Sequence, residues 1–265
     1  MLLRGLREAP IEMTVKFDGL ALNWLGYACA RVSGEDGPVV YTDPGRYGTL
    51  DGTWAERYGG IDHPSGPQYD ATDGDVVLVT HDHHYDSDGV QRVAAPDATV
   101  IVYEGVDASR IGGSRAAAPV DDLPYDIKRV AYGDTVTVGD VDIDVVPAYS
   151  QPDGPNTDAD GNPGHPYGFG CGFRFRVADK WLFWTGDSDV VDEHADLDVD
   201  VFMPSIARSI TMNRYDAADL AETLSPELVV PIHYNTFDGL RSDSEAFAAD
   251  VAGRAIPVAL DESWG

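Results

Sequence analysis

Three histidines fall within four residues, His81, His83 and His84, in the stretch Thr80-His81-Asp82-His83-His84-Tyr85-Asp86-Ser87-Asp88-Gly89. The chain has only seven histidines, and gathering three of them in one loop serves no evident packing purpose. Neutral imidazoles at this spacing suit the gripping of a transition-metal ion. Two further histidines stand beside strand-like segments: His165 in His165-Pro166-Tyr167-Gly168, and His233 in Pro231-Ile232-His233-Tyr234-Asn235. So does Asp187, in Trp184-Thr185-Gly186-Asp187-Ser188. Imidazole nitrogen with carboxylate oxygen is a donor set for zinc, iron or manganese. Taken singly, Gly186-Asp187-Ser188 reads equally well as a turn, and His165 or His233 as an ordinary hydrogen-bonded side chain. Only the shared pattern makes them a metal set. His63 and His194 are read as solvated or hydrogen-bonded surface residues and receive no role.

Residues so far apart meet only if strand ends bring them to one edge of a sheet. Asp75 to Thr80 is a continuous apolar run ending in polar residues, the pattern of a buried strand delivering its C-terminal end to a surface. Upstream, Ile11 to Phe17, Leu20 to Val32 and Val39 to Thr42 read as short strands, stopped at Asp43-Pro44-Gly45. Thr49 to Ala71, rich in Gly, Pro, Tyr and Asp, reads as a long irregular loop of the kind that covers a site. Val136, Val138, Val141, Ile143 and Val145 alternate about Gly139-Asp140 and predict a hairpin. Phe169 to Val177 alternates again, with Trp181 to Thr185 as its partner strand. Helices are expected over Arg214 to Leu224, before Ser225-Pro226, and over Ser244 to Val251, with a strand from Leu228 to Ile232 between them. There is no internal repeat by residue match, but two β-rich halves suit a two-sheet sandwich.

With 265 residues and 43% hydrophobic content, residues 1–265 are expected to form a single domain with a sizeable core. No run is apolar enough for an export signal or a membrane span, so a soluble, cytoplasmic protein is expected. Cys29 and Cys171, the only cysteines, lie in strand-like segments and read as buried thiols, in keeping with a reducing compartment. The net charge of −28 is spread along the whole chain, and the only lysines are Lys16, Lys128 and Lys180. Such a surface holds water and repels itself, a pattern suited to a salt-loving host. It also argues against nucleic-acid binding, which needs basic patches.

Taken in order, the motifs resemble the metallo-β-lactamase superfamily, and most closely its ascorbate-6-phosphate lactonase-like branch. The matching segments are Trp24-Leu25-Gly26-Tyr27-Ala28, Thr42-Asp43-Pro44, Thr80 to Gly89, Val146-Pro147-Ala148-Tyr149, His165 to Phe173, Thr185-Gly186-Asp187, Thr211-Met212 and Pro231 to Phe237. The resemblance covers nearly the whole chain and implies an α/β fold, the four-layer αββα sandwich. It further implies a first metal site of His81, His83 and His165, a bridging Asp187, and His233 in a second site. The family pattern His-x-His-x-Asp-His is broken here: an ungapped match sets Tyr85 at the usual Asp and Asp86 at the usual His. Either Asp86 still ligates the second ion, or the loop shifts by one residue so that His84 or Asp86 fills the place, or one ion alone is held. The reading adopted makes Asp86 a ligand or its close neighbour. Tyr27 is a second departure, standing where relatives often carry His.

On this reading one or two ions of zinc, manganese or iron lower the pKa of water and give a hydroxide nucleophile, with Asp86 or His84 as proton acceptor. Arg208, Thr211 and Asn235 lie in loops resembling the substrate side of the family, where Arg208 would hold an anionic group. The expected activity is hydrolysis of a small-molecule lactone, ester, amide or phosphodiester. The competing readings are a non-catalytic or regulatory ligand-binding protein with a degenerate metal site, and an iron-dependent oxidation centre. The sequence leaves the natural substrate and oligomeric state open, a homo-oligomer included.

Overall fold

A computed structural model describes residues 14–46, 48–54, 68–112, 117–208 and 210–262. Part of the expected first strand (residues 11–13) and most of the expected long loop (residues 55–67) lie outside these.

Two sheets carry the described chain. The first runs in the order β1 to β7: β1 (Val15–Phe17), β2 (Leu20–Gly26), β3 (Cys29–Gly34), β4 (Val39–Thr42), β5 (Gly74–Val79), β6 (Ala94–Tyr103) and β7 (Asp126–Val130). The second is ordered β13-β12-β11-β10-β9-β8, from β8 (Thr135–Val138), β9 (Val141–Ala148), β10 (Gly170–Val177), β11 (Lys180–Trp184), β12 (Val201–Met203) and β13 (Leu228–Val229). Helix α1 (Ser87–Val93) follows the histidine loop and packs on β5, while α2 (Arg214–Leu224) and α3 (Ser244–Gly253) pack against each other. The architecture is the expected αββα sandwich, with few helices.

The core forms because strand alternation turns apolar side chains inward. Phe173 and Phe175 of β10, Phe183 and Trp184 of β11 and Phe202 of β12 are fully buried, and they join Val77 and Leu78 of β5 in one apolar cluster. Each such side chain contributes roughly 1.5–3 kcal/mol by leaving water.

Several boundaries differ from the sequence reading. The expected strand Leu20 to Val32 is two strands joined by a tight turn, with Gly26 at φ 110° and Tyr27 at φ 50°. Ala94–Tyr103, Asp126–Val130 and Val201–Met203 are strands to which the sequence reading assigned nothing. The hairpin about Gly139-Asp140 is present, with Val138 opposite Val141. Both cysteines are buried free thiols. His194, expected on the surface, is fully buried and hydrogen-bonds through Nε2 to the Pro147 carbonyl at 2.9 Å. No described helix is long and apolar enough to cross a membrane.

Strand direction assembles the site. β4, β5, β6 and β7 run parallel, as do β11, β12 and β13, so the C-terminal ends of each set share an edge. The two edges meet where the Cys171 amide, at the start of β10, donates to the Thr80 carbonyl at 3.2 Å.

Candidate metal centre

β5 ends at Val79, and Thr80 hands the chain to a 3-10 turn, Asp82–His84, that splays the histidines to different sides. β11 ends at Trp184 and leads through Gly186 to Asp187. Gly186 has φ 59°, and a Cβ there would collide with the Cys171 carbonyl oxygen. Only glycine allows this turn, which carries Asp187 over the sheet edge. His165 arrives from the loop before β10, and His233 from beyond β13. His233 itself has φ 59°, an unfavourable value for a non-glycine residue that clusters at functional positions.

The side chains converge in two groups that share Asp187. In the first, His81 Nε2 and His165 Nε2 lie 3.5 and 3.4 Å from Asp187 Oδ2, and His165 Nε2 is 3.3 Å from His83 Nδ1. In the second, His84 Nε2 and His233 Nε2 lie 3.6 and 3.1 Å from Asp187 Oδ1 and 3.2 Å from each other. Each carboxylate oxygen thus faces its own set of imidazoles. Donors about 2.1 Å from a tetrahedral zinc ion stand roughly 3.4 Å apart, so these separations are those of ligands around one ion.

The unsatisfied atoms fit a cation. Both oxygens of Asp187 and Nε2 of His81 are buried without a hydrogen bond. An ionised carboxylate in that state is costly unless paired. Burial holds His84 and His165 down to about 4, against the partial opposing pull of Asp187. Desolvation, then His81 and His165, push the more exposed His83 lower, to about 2. Burial opposes ionisation of Asp187, but His84 and His233 outweigh it and hold the carboxyl well below its ordinary range. Neutral imidazoles and an ionised carboxylate are the protonation states a metal requires. The residues fit zinc, manganese or iron.

Outer contacts fix the rings. Thr80 Oγ1 lies 2.9 Å from His81 Nδ1, and Asp43 Oδ2 lies 3.0 Å from His84 Nδ1. Such partners orient the ring and select the tautomer that leaves Nε2 free to ligate. Tyr27 closes the second group, its ring meeting His84 and His233 edge-on at 4.9 and 4.4 Å. Trp54 and Phe237 pack behind it, and Trp54 Nε1 donates to the Thr236 carbonyl. On the first group, Phe169 packs on His81, His83 and His165, and the Arg110 guanidinium sits 5.8 Å from its ring centre. His83 is exposed while His84 and His233 are fully buried, so the centre opens to solvent on the His83 side.

His81, His83, His165, Asp187 and His233 come together where the sequence reading set them. Asp86, expected as a ligand and proton acceptor, stands in neither group: it is the N-cap of α1, where Oδ1 accepts the amides of Asp88 and Gly89. Tyr85 reaches the other way, donating its hydroxyl to the Ala118 carbonyl at 2.7 Å. His84, the other expected proton acceptor, turns Nε2 into the second group and spends Nδ1 on Asp43. Thr211, expected to meet substrate, is fully buried, with its hydroxyl engaged by Ser205 and the Ala207 amide. Asn235 accepts the Ser242 amide through Oδ1 and closes its own loop. Arg208 is exposed. Asp43, Tyr27 and Arg110 are the site-shaping residues to which the sequence reading gave no role or only a passing one. The Thr42-Asp43-Pro44 strand stop was the available signal for Asp43.

Comparisons with known proteins identify the family. A UPF0173 metal-dependent hydrolase of Thermococcus kodakarensis is 29% identical over 194 residues, covering 71% of this chain and 79% of its own. A UPF0173 metal-dependent hydrolase of Pyrobaculum neutrophilum is 32% identical over 183 residues, or 66% of this chain and 72% of its own. Among solved structures, the metallo hydrolase Igni18 of the archaeon Ignicoccus hospitalis superposes with a TM-score of 0.62 at 20% identity, covering 93% of this chain and 96% of its own. Residues 21–233, from β2 to the last histidine of the cluster, match the family described as the Beta-lactamase superfamily domain, and the chain belongs to that family.

Proposed function

We propose that this chain is a metal-dependent hydrolase acting on a small-molecule lactone, ester, amide or phosphodiester. The observation that carries the reading is Asp187, buried, ionised and unbonded, with one oxygen turned to each set of imidazoles. The UPF0173 relatives are named as metal-dependent hydrolases, which supports the same reading.

A bound zinc, manganese or iron ion supplies a lowered pKa for water and a Lewis acid at the scissile group. The chain's own residues supply the rest. His81, His83, His165, His84 and His233 present imidazole nitrogens, and Asp187 provides the countercharge. Substrate enters on the His83 side, against Phe169 and the half-exposed Arg110. Tyr27, Trp54 and Phe237 exclude water from the opposite wall. The acidic surface disfavours polyanionic substrates such as nucleic acids, and the buried thiols of Cys29 and Cys171 suit a cytoplasmic location.

Turnover of generic lactone and phosphodiester substrates tests the reading. Chelator-treated protein is expected to be inactive and to recover with zinc or manganese. Turnover untouched by metal removal would refute metal-dependent hydrolysis.

A further inference from the structure

The loop that holds the histidines departs from its family pattern, and the geometry indicates what replaces the missing ligands. We propose that His84 is the ligand through which this chain binds a second ion, and that this ion is held more weakly than the first. The inference rests on the metal-binding half of the functional reading and is independent of hydrolysis.

Both residues at the family's usual ligand positions are committed elsewhere. Asp86 caps α1 and Tyr85 is tied to Ala118. The cap is also sterically locked: a Cβ on Gly89, in the first turn of α1, would collide with the Pro44 carbonyl oxygen, so glycine alone permits this approach. His84 comes inward in their stead. Its Nε2 stands 3.2 Å from His233 Nε2 and 3.6 Å from Asp187 Oδ1.

The opposite edge of the ring is held by a carboxylate that is itself fixed. Asp43 Oδ1 accepts the Thr80 amide at 2.8 Å, and Oδ2 accepts Trp184 Nε1 at 2.8 Å and the Thr80 hydroxyl at 2.9 Å. All of these groups are buried. Held in this way, the Asp43 carboxylate accepts a hydrogen bond from His84 Nδ1–H, which leaves the Nε2 lone pair facing the shared carboxylate. A histidine backed by a carboxylate is the arrangement that orients imidazole for a metal.

The two groups are unequal. The first has His81, His83, His165 and Asp187, and the second has His84, His233 and the same Asp187. Fewer protein donors, with the bridging charge shared, give a weaker site that keeps a position open.

The test is a cobalt(II) titration of metal-free protein, read by visible absorption, with stoichiometry from elemental analysis after dialysis. Wild type is expected to bind two equivalents in two phases, the second weaker. His84→Ala is expected to keep the first phase and weaken the second by more than the ~100-fold that loss of an outer partner costs. His233→Ala should do the same, and Asp86→Ala should retain both phases; circular dichroism checks that each variant folds. A single wild-type equivalent at saturating cobalt, or a second phase unaltered in folded His84→Ala, would overturn the assignment. Two phases without any turnover would sink the hydrolase reading and leave this one standing.

Discussion

The carboxylate of Asp43 lies 3.0 Å from Nδ1 of His84, and neither residue meets solvent. The contact joins the end of β4 to the histidine loop after β5 and aims Nε2 of His84 at Asp187. Asp43→Asn removes the charge and unsettles a buried network. The expected cost is a 10- to 100-fold weaker second metal phase, with the first nearly unchanged, and about 1–3 kcal/mol of stability. Cobalt titration and urea unfolding measure the two effects. Equal losses in both metal phases would mean that Asp43 supports the sheet edge rather than His84 in particular.

Asp86 is a helix cap in this fold, which separates it from the metal ligands by experiment. Asp86→Ala leaves the Asp88 and Gly89 amides without their acceptor and is expected to cost about 1 kcal/mol. Metal content should stay at the wild-type value. A variant of wild-type stability that lost metal would return Asp86 to the role first expected for it.

His194 makes an acid-stability prediction away from the metal centre. Burial pushes it down to about 4, against an ordinary value near 6.5, although its bond to the Pro147 carbonyl pulls the other way. Between those values the unfolded chain binds the proton and the folded chain does not. The contribution of neutral His194 is therefore complete above about pH 6.5 and is lost as pH falls towards 4, a change of about 3 kcal/mol. His194→Gln can still donate to Pro147 and cannot titrate. Urea unfolding from pH 7 to pH 4 should show a shallower decline in the variant, and parallel curves would contradict the assignment.

The surface charge predicts a response to salt. At −28 the folded chain repels itself, and raising ionic strength from about 0.1 M to about 1 M shortens the screening length from about 10 to about 3 Å. The melting temperature is expected to climb by several degrees in potassium chloride over that range. A flat or falling curve would show that the acidic residues are paired or spaced well enough to need no screening.

Much of the site was legible because its residues sit where strands end. His81, His83, His165, Asp187 and His233 each follow or precede an apolar run, and parallel strands must bring such ends to one edge. The choice between His84 and Asp86 stays open in the sequence because the position of His84 depends on Asp43, forty-one positions earlier, a partner that no local pattern shows. The capping role of Asp86 is legible in the sequence, since an aspartate before Ser87 and Asp88 is a helix-start signal. Thr211 and Asn235 were placed by resemblance, and their hydrogen bonds turn them to the protein itself. Strand β6 was missed although Val100 to Tyr103 is a short apolar run. A strand buried on both faces does not alternate.

The central claim is that segments distant in the chain grip a cation around Asp187. Anomalous diffraction from crystals grown with manganese or zinc tests it most directly. The account predicts a strong peak between Asp187 Oδ2 and the nitrogens of His81, His83 and His165, with a weaker one between Oδ1 and the nitrogens of His84 and His233. Crystals at saturating metal with no peak beside Asp187, or with peaks only at surface carboxylates, would contradict it.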